Sequence, residues 1–164
     1  MARSERSEGR GFPNDFHNNV PHEQTIAQIA QALNAVARYA ADYGQLIRFE
    51  NHGSAGRLTT LKEILARVDQ KNVGVKLNSD EHDAVNGSFE QNFNLVKDRL
   101  GDTLHMHDLR GDKFPYQLQF NLLIDRGWDG WCLPELDHKV PDVMAALQEQ
   151  RALGDRLIEA SLQR

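Results

Sequence analysis

Leu46-Ile47-Arg48-Phe49-Glu50-Asn51-His52-Gly53 is the stretch whose reading decides the fold. Apolar Ile47 and Phe49 alternate with charged Arg48 and Glu50, and a glycine then breaks the run. A period of two predicts a strand with Ile47 and Phe49 on one face and Arg48 and Glu50 on the other. Charges on an inner strand face need partners, because burying them unpaired is costly.

The same arrangement recurs three times. Val73-Gly74-Val75-Lys76-Leu77-Asn78 puts Val73, Val75 and Leu77 on one face and Gly74, Lys76 and Asn78 on the other. Thr103 to His107 pairs Leu104 and Met106 against His105 and His107, and Gly130 to Glu135 forms a fourth short run. Between the runs lie helical patterns. Ile26, Ile29, Ala30, Leu33, Val36, Ala37 and Ala40 make one apolar stripe from Pro21 to Gly44. Thr60 with Glu63, and Ser88 with Gln91, match capping boxes ahead of two further helices. A fourth helix is predicted from Pro115 to Arg126 and a last one from Pro141 to Leu162. Residues 1–20 read as a flexible tail and irregular lead-in, and residues 21–164 as one unit. Strand and helix thus alternate four times after an introductory helix, which predicts parallel strands joined by right-handed crossovers. No glycine-rich dinucleotide fingerprint or phosphate loop follows any strand.

Composition narrows the function classes. The 164 residues are 40% hydrophobic and 26% charged, as in an ordinary globular domain. A net charge of −5 disfavours a nucleic-acid partner, whose binding surface is basic. No apolar run approaches the roughly 20 residues of a membrane helix, and Met1 to Gly11 lacks the apolar core of a secretory signal. Cys132 is the only cysteine, which suits a reducing, cytoplasmic setting and a small packing residue.

Glu50, Asn78, His107 and Glu135 end the four runs, at separations of 28, 29 and 28 residues. Eight units of that pitch come to about 224 residues, close to the roughly 250 of a (β/α)₈ barrel, in which active sites gather where strands end. Two carboxylates, an imidazole and an amide make a mixed oxygen and nitrogen set suited to Mn²⁺, Mg²⁺, Co²⁺ or Zn²⁺. The competing reading is four unrelated polar strand ends.

The phrases IRFENHG (47–53), VGVKLNSDEH (73–82), LHMHDLRG (104–111) and GWDGWCLPELD (127–137) resemble the sugar isomerase/epimerase group with the xylose isomerase-like TIM barrel. The resemblance runs from Pro21 to Leu162 and implies an α/β fold, the C-terminal half of a (β/α)₈ barrel. It also implies a divalent metal ion held by Glu50, Asn78, His107 and Glu135, with Glu50 and Glu135 as catalytic residues. They would move a proton beside the carbonyl of a small sugar or keto-acid. His52, His82, His105 and Arg110 are the candidates for substrate contact, with Lys113 beside Arg110. Arg48 and Lys76 are expected to lie beneath the metal, paired with the carboxylates. Asn78 departs from the family's aspartate, with Asp80 nearby as a substitute. Glu81 stands where the family has a histidine, next to His82. Four strands are half a barrel, so closure requires a second copy, another chain, or a longer reading frame. The alternatives are a truncated, non-catalytic fragment and, less favoured by charge, an endonuclease-type relative of the same barrel.

Overall fold

The computed structural model describes residues 8–11, 13–136 and 138–164. The four predicted strands are present as β2 (Leu46–Glu50), β3 (Val73–Asn78), β4 (Leu100–Met106) and β5 (Trp131–Pro134). A further strand, β1 (Glu8–Gly11), precedes them. The helices are α1 (His22–Asp42), α2 (Leu58–Leu65), α3 (Phe89–Val96), α4 (Tyr116–Asp125) and α5 (Val143–Leu162), with short 3₁₀ turns between. All neighbouring strands run parallel, in the order β1-β2-β3-β4-β5. A sheet whose order follows the chain, with a helix between strands, is the arc of a barrel rather than a doubly wound sheet.

Alternation sorts the strand residues as the sequence requires. Ile47, Phe49, Val73, Val75, Leu77, Leu104 and Met106 face the helices and form one core with them. From α1 come Ile26, Ala30, Leu33 and Ala37, from α2 Leu61 and Ile64, from α3 Phe89 and Phe93, and from α4 Phe120 and Leu123. Burying side chains of this size contributes roughly 1.5–3 kcal/mol each, so this layer sets the sheet's curvature and register. The polar residues are left for the other face.

Between β3 and β4 the pairing jumps from Val75↔Leu100 to Leu77↔Leu104. The extra residues of β4 include Gly101 and Asp102. Arg48 runs across this floor to Asp102, its Nε and Nη2 both on the carboxylate. The glycines make the crossing possible. A Cβ on Gly101 would lie 2.9 Å from Arg48 Cδ, and one on Gly74 would lie 3.0 Å from the Gly101 Cα. Past the irregularity, Asn78 stands opposite His105.

Two expectations need correction. Glu8–Gly11 is not a tail: it pairs with Leu46–Phe49 through backbone groups, which need no apolar alternation. The lead-in that follows is anchored too, since Ala55 donates its N–H to the Asn14 carbonyl and Ser54 donates its N–H to Asp15 Oδ1. The capping boxes also fail. Thr60 is buried inside α2, which starts at Leu58, and the Ser88 hydroxyl donates to the Asp83 carbonyl instead of capping α3. Side-chain caps form elsewhere: Asp142 accepts from the Ala145 N–H at the start of α5, and Asp80 accepts from the His82 N–H at the 3₁₀ turn after β3.

Candidate functional site

Glu50 and Lys76 are direct register partners on β2 and β3. Glu50 is 0% exposed, and Lys76 Nζ lies 3.1 Å from its Oε2. The other oxygen, Oε1, lies 3.0 Å from His105 Nδ1 and accepts a longer bond of 3.4 Å from Asn78 Nδ2. His105 is buried as well, and its second nitrogen, Nε2, lies 3.0 Å from Glu135 Oε2. Glu135 follows β5, with its N–H bonded to the Met106 carbonyl, and its side chain is 50% exposed. The side chains therefore form a line, Lys76–Glu50–His105–Glu135, from the sealed interior to the rim.

The line has a definite protonic logic. An ionised carboxylate only accepts hydrogen bonds, so a proton must lie between His105 and each of its two carboxylates. Either His105 is an imidazolium between two anions, or one carboxyl keeps a proton. In both cases one positive charge from Lys76 and one shared proton offset two carboxylates, and the line is close to neutral.

A cavity of about 500 Å³ opens at the strand ends, bordered by His52, Asn78, Asp80, His82, His107 and Glu135 among others. Glu50 does not border it. Burial raises Asp80 above the ordinary carboxylate pKa, opposed by the charges of Arg57, His107 and His52. Asp80 Oδ1 lies 2.8 Å from His82 Nδ1 and also accepts the His82 N–H. Asn78 Oδ1 and His107 Nδ1 are buried with no hydrogen-bond partner among the described residues.

Of the residues expected to meet, Glu50, Asn78 and Glu135 converge, but His105 rather than His107 joins the two glutamates. His52, His82 and His107 border the cavity, whereas Arg110 does not. Arg110 grips Asp108 with Nε 2.9 and 3.0 Å from its two oxygens, and Glu149 stands 3.6 Å from its Nη1. The guanidinium beside Asp108 holds that carboxyl well below the usual range. Lys113 borders the cavity, with its Nζ 3.8 Å from Glu81. Arg48 pairs with Asp102, and Lys76 meets the strand-end carboxylate Glu50. Burial pushes the Cys132 thiol up to about 11, as suits a packing residue.

Asn51 is the residue that sequence reading passed over. Its Oδ1 accepts the Asn78 N–H at 2.6 Å, and its Nδ2 donates to the Asn78 carbonyl at 3.0 Å and to Asp83 Oδ2 at 3.2 Å. Asp83 in turn accepts the Leu58 N–H at 2.9 Å. These buried bonds fix where β3 ends. The available signal was an amide placed directly after Glu50 on a buried strand.

The divalent ion implied by the resemblance does not fit this arrangement. Among the described residues no three His, Cys, Asp or Glu side chains are gathered as ligands of one ion: Glu50, His105 and Glu135 are turned onto one another instead. Glu50 is engaged on both oxygens. An ion on Glu50 Oε2 at about 2.1 Å would sit within about 5 Å of the Lys76 ammonium, a repulsion on the order of 6 kcal/mol at an effective dielectric of about 20, and an ion on Oε1 would have to displace His105.

Known proteins agree with the fold. No curated protein matches the chain in sequence. Among solved structures, a D-tagatose 3-epimerase-like protein superposes with a TM-score of 0.74 at 17% identity, over 93% of this chain and 64% of that one. The 3-keto-D-glucoside 4-epimerase YcjR of E. coli gives 0.69 at 14% identity, over 85% and 57%. D-psicose 3-epimerase of Clostridium cellulolyticum H10, solved with D-tagatose, gives 0.60 at 18% identity, over 92% and 58%. The chain thus spans about six-tenths of each neighbour's length. Residues 10–156 also match the family model described as xylose isomerase-like TIM barrel. With nearly the whole chain inside that match and a parallel strand–helix arc to go with it, the protein belongs to the xylose isomerase-like TIM barrel family.

Proposed function

We propose that this chain is a sugar isomerase/epimerase-like protein whose Glu135 exchanges a proton at the carbon beside a bound carbonyl. The observation that carries the reading is the line Glu50–His105–Glu135, with 3.0 Å at each step and only its Glu135 end at the cavity. A carboxylate at a rim, hydrogen-bonded to an imidazole that is itself held by a buried anion, is equipped to accept and return a proton. In this reading Glu135 touches the substrate. His105 positions Glu135 and takes up its change of charge, and Glu50 fixes His105. Of the two glutamates expected to act as catalytic residues, Glu50 therefore serves as a positioning residue.

The substrate class is a small ketose or keto-acid. A cavity of about 500 Å³ is within the range of ligand pockets, roughly 300–1,000 Å³. Asn78, His52, His82 and His107 offer polar groups along its wall for hydroxyls. The sugar epimerases among the structural neighbours support the substrate class through fold alone. No step is assigned to a divalent ion, because the donor set does not fit one.

The test is uptake of solvent deuterium beside the carbonyl of a panel of ketohexoses, followed by NMR. Glu135→Gln is expected to lower the exchange by at least about 100-fold, the scale of general acid–base catalysis. His105→Gln is expected to lower it while shifting the pH profile. Exchange by Glu135→Gln at the parent's rate overturns the reading. A second reading, a non-catalytic barrel fragment, is favoured by the share of the neighbours' length that the chain spans. It predicts exchange no faster than buffer in the parent as well.

A further inference from the structure

We infer that Lys76 stands in for a divalent cation, so that the site keeps its carboxylates in place with no metal bound. The inference takes the site of the proposed proton transfer as given and concerns what balances its charge.

Three observations meet on β3. First, the Lys76 ammonium is buried and lies 3.1 Å from Glu50, the partner it faces in the strand register. A buried lysine is tolerated only against a fixed anion, and a buried glutamate only against a fixed cation. Each answers the other's need. Second, the strand ends two residues later in Asn78, where the resemblance implies an aspartate. A dication with an aspartate carries one net positive charge, and a lysine with an asparagine carries the same. The pair of residue types therefore preserves the electrostatic balance that Glu50 and Glu135 require. Third, the Asn78 side chain turns its Nδ2 toward Glu50, at 3.4 Å from Oε1. An amide that offers its N–H to the carboxylate acts as a donor to Glu50. Lys76, Asn78 and His105 thus surround Glu50 with donors from three directions.

The roles follow directly. Lys76 is a positioning residue: it holds Glu50, and through Glu50 the imidazole of His105. It makes the chain indifferent to divalent ions, and undoing the exchange should restore a metal site.

The experiment is calorimetric titration of the full chain with Mn²⁺, after treatment with EDTA and dialysis. The parent is expected to show no saturable binding below millimolar Mn²⁺, and its thermal midpoint should not move with the ion. Lys76→Met/Asn78→Asp is expected to bind Mn²⁺ at least about 100-fold more tightly than the parent and to gain a Mn²⁺-dependent midpoint. Adding Glu50→Gln to the pair should remove that gain. Should the methionine variant fail to fold, Lys76→Gln/Asn78→Asp keeps a hydrogen-bonding side chain beside Glu50 and carries the same expectation. Micromolar Mn²⁺ binding by the parent that Glu50→Gln abolishes overturns the inference. So does a folded double variant that still ignores the ion. Deuterium exchange is read separately: an inactive parent that ignores Mn²⁺ refutes only the proposed reaction, and an active parent that binds Mn²⁺ through Glu50 refutes only the role of Lys76.

Discussion

Asp83 spends both carboxylate oxygens on structure, one on the Leu58 N–H and one on the Asn51 amide that grips Asn78. Burial raises its pKa to about 6 from 3.8, against the opposing pull of those hydrogen bonds. The sign of the resulting pH dependence is fixed. Between about 4 and 6 the folded chain keeps a proton that the unfolded chain has released, so stability falls as pH rises through that window and levels off above it. The fall attributable to this one group is about 3 kcal/mol. Urea midpoints at pH 4.5 and 7 should therefore differ more for the parent than for Asp83→Asn. That substitution also disturbs the Asn51 bond, so the comparison is between slopes and not between absolute stabilities. A parent and variant with equal slopes would remove Asp83 from the account.

Helix α4 contains a liability of a different kind. Gln119 is wholly buried, and neither its Oε1 nor its Nε2 has a hydrogen-bond partner among the described residues. Each unsatisfied buried group costs roughly 1–3 kcal/mol, so an apolar side chain of similar length should be an improvement. Gln119→Met is expected to stabilise the fold by about 1–3 kcal/mol, read as a higher midpoint in thermal unfolding, and a lower midpoint would contradict the assignment. The elements themselves differ in how openly the sequence announces them. Strands β2 to β4 are legible because their residues alternate toward a core on one face, and β5 by its place in the repeat. Strand β1, read from Glu-Gly-Arg-Gly, has no such pattern and is held by backbone pairing, which side chains do not advertise. The site divides in the same way. Strand-end spacing leads to Glu50, Asn78 and Glu135. The choice of His105 over His107 rests on the β3–β4 register, which sets His105 opposite Asn78, and the grip of Asn51 depends on bonds across 27 residues of chain.

On the scale of the whole molecule, the five strands form an open arc with β1 and β5 at its ends. On β5, Trp131 is 60% and Leu133 40% exposed, a heavy apolar load for a sheet face. We expect two copies to associate through this side. Sedimentation should give the mass of two 18.6 kDa chains, and Trp131→Glu should shift it toward one. A monomeric parent would contradict that expectation.

The floor beneath Glu50 has a consequence for isotope traffic. Arg48, laid over Gly101 and tied to Asp102, lines a second cavity at the lower mouth of the arc. The described contacts that lead from Glu50 toward open water then run upward, by way of the imidazole to the rim carboxylate. Label that reaches Glu50 along this line passes Glu135, the group proposed to exchange the substrate's proton, so on that reading reaction hydrogen and solvent hydrogen meet at one carboxylate.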